Sequence, residues 1–370
     1  MKKIYSIVAI VVAGMFILAN TNKSALLRDG FENGTPEIKS ISALAFGPDG
    51  ILFIGDSKSA AVFAIDTKDN QKVDKATAVD FKKMDQKIAA ALGAEVQNIT
   101  ITDLVVNPVS KKVYCSVFLS DGTPALLRID GDAIAAVNLK DVSFTSVPLV
   151  NAPAEDAKDQ RGRPLRGTTI SDMGFYDGKV MVSGLSNQEF SSSFRVIPFP
   201  FTKQQDQSSL EIYHAAHGKY ENAAPIKTFT VSEINGKKFL IASYTCTPLV
   251  LFPLEDLKAG MHVKGRTVAE MGSGNSPLDM ITMKKGGESF LIMANSSRPV
   301  FKVKYKSIEG YQESLTKPVT ENFATAGVDF VSLPVVGVLQ LEKLDDSQFL
   351  ILQRKANGDL DLWTAGDRYL

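Results

Sequence analysis

Two of the three histidines, His214 and His217, share one short segment, YHAAHG. Imidazoles at that spacing can take a single metal ion if the loop turns both rings inward, with Cys246 or an aspartate as a third ligand. The segment lacks the HExxH helix context, so a pair of solvent-facing loop histidines is the competing reading. A second group is acidic. Asp103, Asp172 and Asp279 occupy the third residue of one recurring strand, so a closed array of such strands would bring three carboxylates together. Like charges held close raise one another's pKa or demand a cation, and a hard ion such as Ca²⁺ would take six to eight oxygen ligands. The competing reading is that each Asp bonds local backbone N–H groups. A third group is the loop Arg161-Gly-Arg163-Pro-Leu-Arg166-Gly. Its guanidinium forks suit carboxylates, phosphates or an acidic protein surface, unless they pair with nearby Glu155, Asp156 and Asp159.

The elements that must position these groups are repeats. From Ile41 to Asp66 the chain reads ISALAFGPDGILFIGDSKSAAVFAID. That is an apolar strand, a Pro-Asp-Gly turn, a second apolar strand, a polar loop and a third strand. The pattern returns from Ile101, Ile170, Ile226, Pro277 and Val338. Repeats of this size build arrays, and radial four-stranded meanders are the β-propeller solution to exposed sheet edges. The expected fold is an all-β, six-bladed β-propeller with four-stranded antiparallel blades. A seventh blade hidden in 321–336 or 151–167 is the alternative. Thr77–Val79, Val142–Thr145 and Thr267–Ala269 are the candidate fourth strands between repeats. The sixth repeat nearly ends the chain, so N- and C-terminal segments are expected to close the ring, with the segment before Ile41 supplying the missing strand. One helix is legible, Asp80 to Leu92, with Phe81, Met84, Ile88 and Leu92 on one face and Gly93 as its stop.

In such a propeller the start of strand A, the end of strand B, the B–C loops and the D–A connections share a rim. That rim should collect the three aspartates with Asp56, Asn187, Tyr244, Cys246, Asn295 and Arg298. The D–A connections add Arg163 and Arg166, His214 and His217, and Gly272–Asn275. The opposite rim carries only short turns such as Pro48-Asp49-Gly50. Long loops on one side of a rigid scaffold are where function is expected.

Composition narrows the classes. Lys plus Arg and Asp plus Glu both number 41, so no basic excess favours nucleic acid. Cys115 and Cys246 fall in non-neighbouring repeats, too far apart for a disulfide and too few for a four-cysteine zinc site. Cys115 reads as a small core residue. No GxSxG, CxxCH or phosphate loop occurs, and the single Trp363 excludes a cofactor built from two tryptophans of this chain. Residues 1–20 begin with Lys2 and Lys3 and continue in an apolar run to Ala19, the pattern of a signal peptide, with an uncleaved membrane anchor as the alternative. Either places residues 21–370, a single domain, outside the cytoplasm, periplasmic or secreted. The membrane is then touched only through that segment.

The strand–PDG–strand–GD order of LAFGPDGILFIGD and the segment TCTPLVLFPL resemble the NHL and gluconolactonase-like six-bladed propellers over about residues 38–363. The resemblance implies the fold. For the gluconolactonase-like enzymes it also implies one divalent cation held in the channel by Glu, Asn and Asp. This sequence offers Asp103, Asp172, Asp279, Asn187 and Asn295 but no glutamate in the matching columns. Propeller heavy chains of periplasmic quinone-cofactor amine dehydrogenases are a looser analogy for docking a partner. The expected function is therefore binding of a small molecule or a protein partner across the loop-rich rim. A metal-dependent hydrolase, lactonase- or esterase-like, using the channel carboxylates is the alternative, with Ca²⁺ or Zn²⁺ as the cation.

Overall fold

The computed structural model describes residues 25–370 apart from Asp132; the segment read as signal or anchor lies outside the described residues. Six antiparallel blades form a six-bladed β-propeller. Blade 1 contributes Ala43–Phe46, Ile51–Asp56 and Ala61–Asp66 as strands A to C. The A strands of blades 2 to 6 are Ile99–Val106, Asp172–Tyr176, Thr228–Ile234, Pro277–Lys285 and Val338–Lys343. Strand B of blade 1 is buried along its whole length. A strand covered on both faces by neighbouring blades cannot alternate polar with apolar residues, which explains the continuous apolar runs of the repeats. The two stretches that could have hidden a seventh blade are otherwise occupied. Ala326–Gly327 edges blade 4, Val331–Ser332 completes blade 5, and 151–167 is loop with one isolated bridge that runs into the short 3-10 helix Arg166–Thr168.

The blades do not follow one another in chain order. Each of six apolar clusters fills one blade–blade junction. They join blade 1 to 2, 1 to 3, 3 to 4, 4 to 5, 5 to 6, and 6 to 2. The circular order is therefore 6-2-1-3-4-5. Two borrowed outer strands make this order. After blade 1's third strand the chain crosses beneath blade 2, and Asp80–Phe81 becomes the fourth strand of blade 6, pairing Phe81 with Leu362. After blade 2 the chain returns, and Val142–Pro148 becomes the fourth strand of blade 1, pairing Phe144 with Ile65.

The ring is thus closed by joining an early segment to the C-terminal strands, but the donor is Asp80–Phe81 and not the segment before Ile41. That earlier segment, Glu32–Gly34, lies outside the borrowed strand of blade 1. Of the candidate fourth strands, the one at Thr267 serves its own blade, within Arg266–Glu270. The one at Val142 serves blade 1 in place of blade 2, and Val79 only hydrogen-bonds Thr364 at the edge of blade 6. A propeller can accept such exchanges because every outer strand offers the same ladder to whichever third strand it meets.

The crossover has its own anchor. Asp69, 7% exposed, accepts from Ser110 Oγ at 2.8 Å and Tyr114 OH at 2.9 Å, while Asn107 Nδ2 donates to its carbonyl at 2.7 Å. These three donors belong to the A–B turn and second strand of blade 2. The helix is shorter than its apolar face suggested, Met84–Leu92, because Lys83 sits at φ 52° in the left-handed region. Phe81 belongs to the borrowed strand, and Gly93 at φ 65° ends the helix as expected. Met84 and Ile88 pack into the junction of blades 6 and 2.

Candidate functional site

The recurring aspartates act first as clasps between blades. In each, one oxygen accepts the next residue's own N–H, from Leu104, Met173 or Met280, at 2.7 Å. The other accepts an N–H from the neighbouring blade. Leu44 donates to Asp103 at 2.6 Å, Phe229 to Asp172 at 2.9 Å and Leu341 to Asp279 at 2.8 Å. Glu342 does the same from blade 6, accepting the Val106 N–H of blade 2 at 3.2 Å. Ser57 Oγ exchanges bonds with the Ile170 backbone between blades 1 and 3, and Thr230 meets Thr282 at 3.4 Å between blades 4 and 5. All six junctions thus carry a polar tie across the apolar clusters.

The four carboxyls border a central cavity of about 520 Å³ that also meets Pro108, Lys111, Asp345 and Asp346. These last residues lie in A–B turns, so the channel opens on the short-turn side, away from the long loops. Burial, then the charge of Asp279, pushes Asp103 up to about 7 against the N–H groups of Leu44 and Leu104. Burial likewise lifts Asp279 to about 6 and raises Asp172 and Glu342 well above the usual carboxylate range. Glu342 was missed because it falls two residues after the recurring position, where blade 6 has Gln340.

On the loop-rich rim the structure brings His214, His217 and Cys246 together, with one donor atom from each within 4.8 Å of the others. Among the described residues no other set of three His, Cys, Asp or Glu side chains does so. The local fold explains the approach. His214 ends the fourth strand of blade 3, and the chain turns back into Lys219–Glu221, pairing Ile212 with Glu221. The hairpin lays Glu221 across both rings, with oxygens 2.7 Å from His214 Nδ1 and 2.8 Å from His217 Nδ1. Burial disfavours the Glu221 charge, but the hydrogen bonds and charge of the two histidines outweigh it and hold the carboxyl down at about 2.

With both Nδ1 atoms taken, the Nε2 atoms are left as donors. His214 Nε2 is buried with no partner among the described residues, and His217 Nε2 lies 3.9 Å from Cys246 Sγ. Cys246 and Thr247 adopt φ of 68° and 59°, a strained turn for non-glycine residues. The turn is fixed by Cys246 N–H to Asn275 O at 2.7 Å and Thr247 Oγ1 to Gly272 O at 3.0 Å. Behind the histidine hairpin, fully buried Glu270 accepts the Ala216 N–H at 3.0 Å and has no partner for Oε1 among the described residues; burial raises it to about 6. Glu221 was legible only as the residue four after His217; its role needed the hairpin register.

The remaining candidates fall into two places. Near the histidine hairpin, Tyr244 is buried. Asn295 is buried between Pro299 O at 2.8 Å and Asn275 Nδ2 at 2.9 Å. Arg298 donates to Ser273 O at 3.2 Å and faces the Phe323 ring. On the side of blades 1 and 3, Arg163 pairs with Asp159 at 2.6 Å, Arg166 binds Pro153 O at 2.7 Å, and Asn187 is exposed. The arginines are therefore tied within their own loop and to the carbonyl of Lys58. Asp56 is buried under Ser40 Oγ and the Lys39 N–H. Both cysteines are free thiols, and Cys115 is buried in the blade 6–2 junction. No helix among the described residues is long and apolar enough to cross a membrane.

No protein-family model matches the chain, and no curated protein sequence does. Solved structures similar to it include the PQQ-bound aldose sugar dehydrogenase of Streptomyces coelicolor, at 10% identity and TM-score 0.34, covering 90% of this chain and 97% of that one. Streptogramin B lyase is similar at 10% identity and TM-score 0.35, covering 91% and 97%. The Cps50 (Swd1) β-propeller domain of Myceliophteria thermophila is similar at 10% identity and TM-score 0.37, covering 88% and 82%. None of these likenesses singles out the NHL or gluconolactonase-like group.

Proposed function

We propose that this propeller works through its loop-rich rim, outside the cytoplasm, by holding a divalent transition-metal ion that receives a small ligand or a partner's side chain. His214 and His217 through Nε2, and Cys246 through its thiolate, would supply three ligands. Two imidazoles and one thiolate suit Zn²⁺ better than Ca²⁺, which prefers oxygen. The observation that carries this reading is the unpartnered, buried Nε2 of His214 beside two further donors, with Glu221 bonded to both Nδ1 atoms. A carboxylate behind metal-bound histidines fixes their tautomer and raises their basicity. Tetrahedral zinc with ordinary bond lengths separates its donors by about 3.3–3.7 Å, close to the 3.9 Å between His217 Nε2 and Cys246 Sγ, and the cluster would draw together around the ion. Three protein ligands leave a fourth position for water or a ligand atom. The channel carboxylates support the hydrolase alternative less, since their oxygens already accept the N–H groups that tie the blades.

Metal analysis of the full-length protein, purified without chelator, tests this. About one Zn²⁺ per chain is expected in the wild type, falling to background in His214→Ala and in Cys246→Ser, each still folded by circular dichroism. Wild-type protein that arrives metal-free and takes up no Zn²⁺, Cu²⁺ or Ni²⁺ in titration would overturn it.

A further inference from the structure

The third histidine belongs to a separate arrangement on the outer side of blade 3. There His262–Lys264 runs parallel to the fourth strand, Asp206–His214, setting Ser209 opposite His262 and Glu211 opposite Lys264. Ser209 Oγ lies 2.9 Å from His262 Nδ1, and Glu211 Oε2 lies 3.3 Å from His262 Nε2. Glu211, 9% exposed, is held below the usual carboxylate range by Lys264, whose Nζ is 2.8 Å from its other oxygen, and by His262. An ionised Glu211 places the imidazole proton on Nε2 and leaves Nδ1 as the acceptor of the Ser209 hydroxyl proton. A hydroxyl bonded to a base that is itself oriented by a third group is the arrangement of an activated nucleophile.

Ser209 and His262 also face space. Both border a groove of about 460 Å³ with Val150, Gln188, Phe190 and Gln207. Phe190 packs against the His262 ring at 4.3 Å between centroids and holds it in place. Glu211 does not border the groove and stands behind the histidine. Gln207 accepts from Asn151 Nδ2 at 3.4 Å through Oε1, which leaves its Nε2 as a side-chain donor of the kind that can stabilise an oxyanion. Bare cross-strand pairing would explain the Ser209–His262 contact alone. It does not explain why nucleophile and base face a groove while the orienting acid is buried and ionised behind them.

The geometry points to a second reactive site in this groove, in which Ser209 is acylated by small uncharged carboxylic esters. Ser209 Oγ forms the bond to the ester carbonyl carbon as its proton passes to His262 Nδ1. The tetrahedral adduct collapses, breaking the bond to the alkoxy oxygen, which leaves as the alcohol with the proton from His262. Water, deprotonated by the same nitrogen, then cleaves the acyl-serine to release the acid and restore Ser209. Val150 and Phe190 give the groove an apolar wall for the acyl or alkyl group. Glu211 is a positioning residue. The site is independent of the histidine–cysteine cluster, so it stands or falls separately from the metal reading.

The test uses the full-length protein, an alkyl fluorophosphonate and p-nitrophenyl acetate, with chelator present so that a metal site contributes nothing. The expected result is one phosphonate adduct per chain, mapped to Ser209 by peptide mass, and ester turnover lost in Ser209→Ala. His262→Ala should slow labelling about 100-fold or more. Glu211→Gln should slow it at least about tenfold, whereas Glu211→Asp, which keeps the carboxylate, should recover most of the rate. No adduct at Ser209 in the wild type, which needs no variant to fold, would overturn the proposal. So would a labelling rate unchanged by His262→Ala.

Discussion

In the proposed metal site, a carboxylate bonded to the far ring nitrogen of each histidine tunes how well that histidine binds, and Glu221 is bonded to Nδ1 of both His214 and His217. Glu221→Gln keeps the size of the side chain but gives up the charge. Zinc affinity is expected to fall about 10- to 100-fold, read by competition with a chelating dye. The channel acids make the opposite kind of prediction. Asp103 and Asp279 hold their protons up to about 7 and about 6 in the folded ring, against about 4 in an unfolded chain. The folded state therefore binds more protons than the unfolded one across that window, so these groups favour folding at its acid end. Their contribution is lost as pH rises from about 4 through 7. The thermal midpoint should fall between pH 5 and pH 8, and the slope should flatten in Asp103→Asn; a midpoint that rises over the same range would contradict this. At this scale the sequence was a fair guide to identity and a poor one to role. The histidine–cysteine group and the three aspartates were legible as residue types. That each aspartate ties two blades depended on a backbone N–H from a strand up to 62 residues away.

The segment between blades 1 and 2 is the element on which the unusual ring order depends. It could pass for an ordinary loop in sequence, since Thr67 to Asp74 has the polar composition of a surface connection. Yet Asp69 buries its carboxylate under two hydroxyls and offers its carbonyl to Asn107. Asp69→Ala would leave the Ser110 and Tyr114 hydroxyls without their acceptor and free the crossover from blade 2. A loss of roughly 2–4 kcal/mol in denaturant unfolding is expected. A change under about 0.5 kcal/mol would mean the crossover is held by its apolar contacts alone. Strands A to C of every blade were readable because each is local, an apolar run ended by a turn. The outer strands were not. A two-residue strand such as Asp80–Phe81 has no pattern of its own, and its pairing with Leu362 and Trp363 is a property of the closed ring.

For the whole molecule, closure rests on a joint between residue 80 and the last strand. Phe81, 1% exposed, packs among Met84, Leu350 and Leu362 in the cluster shared by blades 6 and 2. Phe81→Ala should cost about 3–5 kcal/mol. The loss should be visible at Trp363, the only tryptophan, which pairs with Asp80 across the joint. If the ring unfolds as one body, tryptophan fluorescence and far-ultraviolet circular dichroism will report the same midpoint in this variant. Fluorescence melting first would show a blade 6 that opens alone. The channel facing the short turns and the histidine–cysteine cluster facing the long loops give the ring two chemically different sides.

The borrowed strand at Asp80–Phe81 also sets a schedule for synthesis. Blade 2 and its helix emerge early, yet the blade they pack against is encoded at the end of the chain, with Ala365 closing its third strand. At about 5–20 residues per second, the apolar face of Met84, Ile88, Val113 and Leu127 waits roughly 15–60 s for its neighbour. Blade-by-blade folding during translation is therefore closed to this ring. A nascent chain must keep that face shielded, by transient contacts or by a chaperone, until its last strand is made.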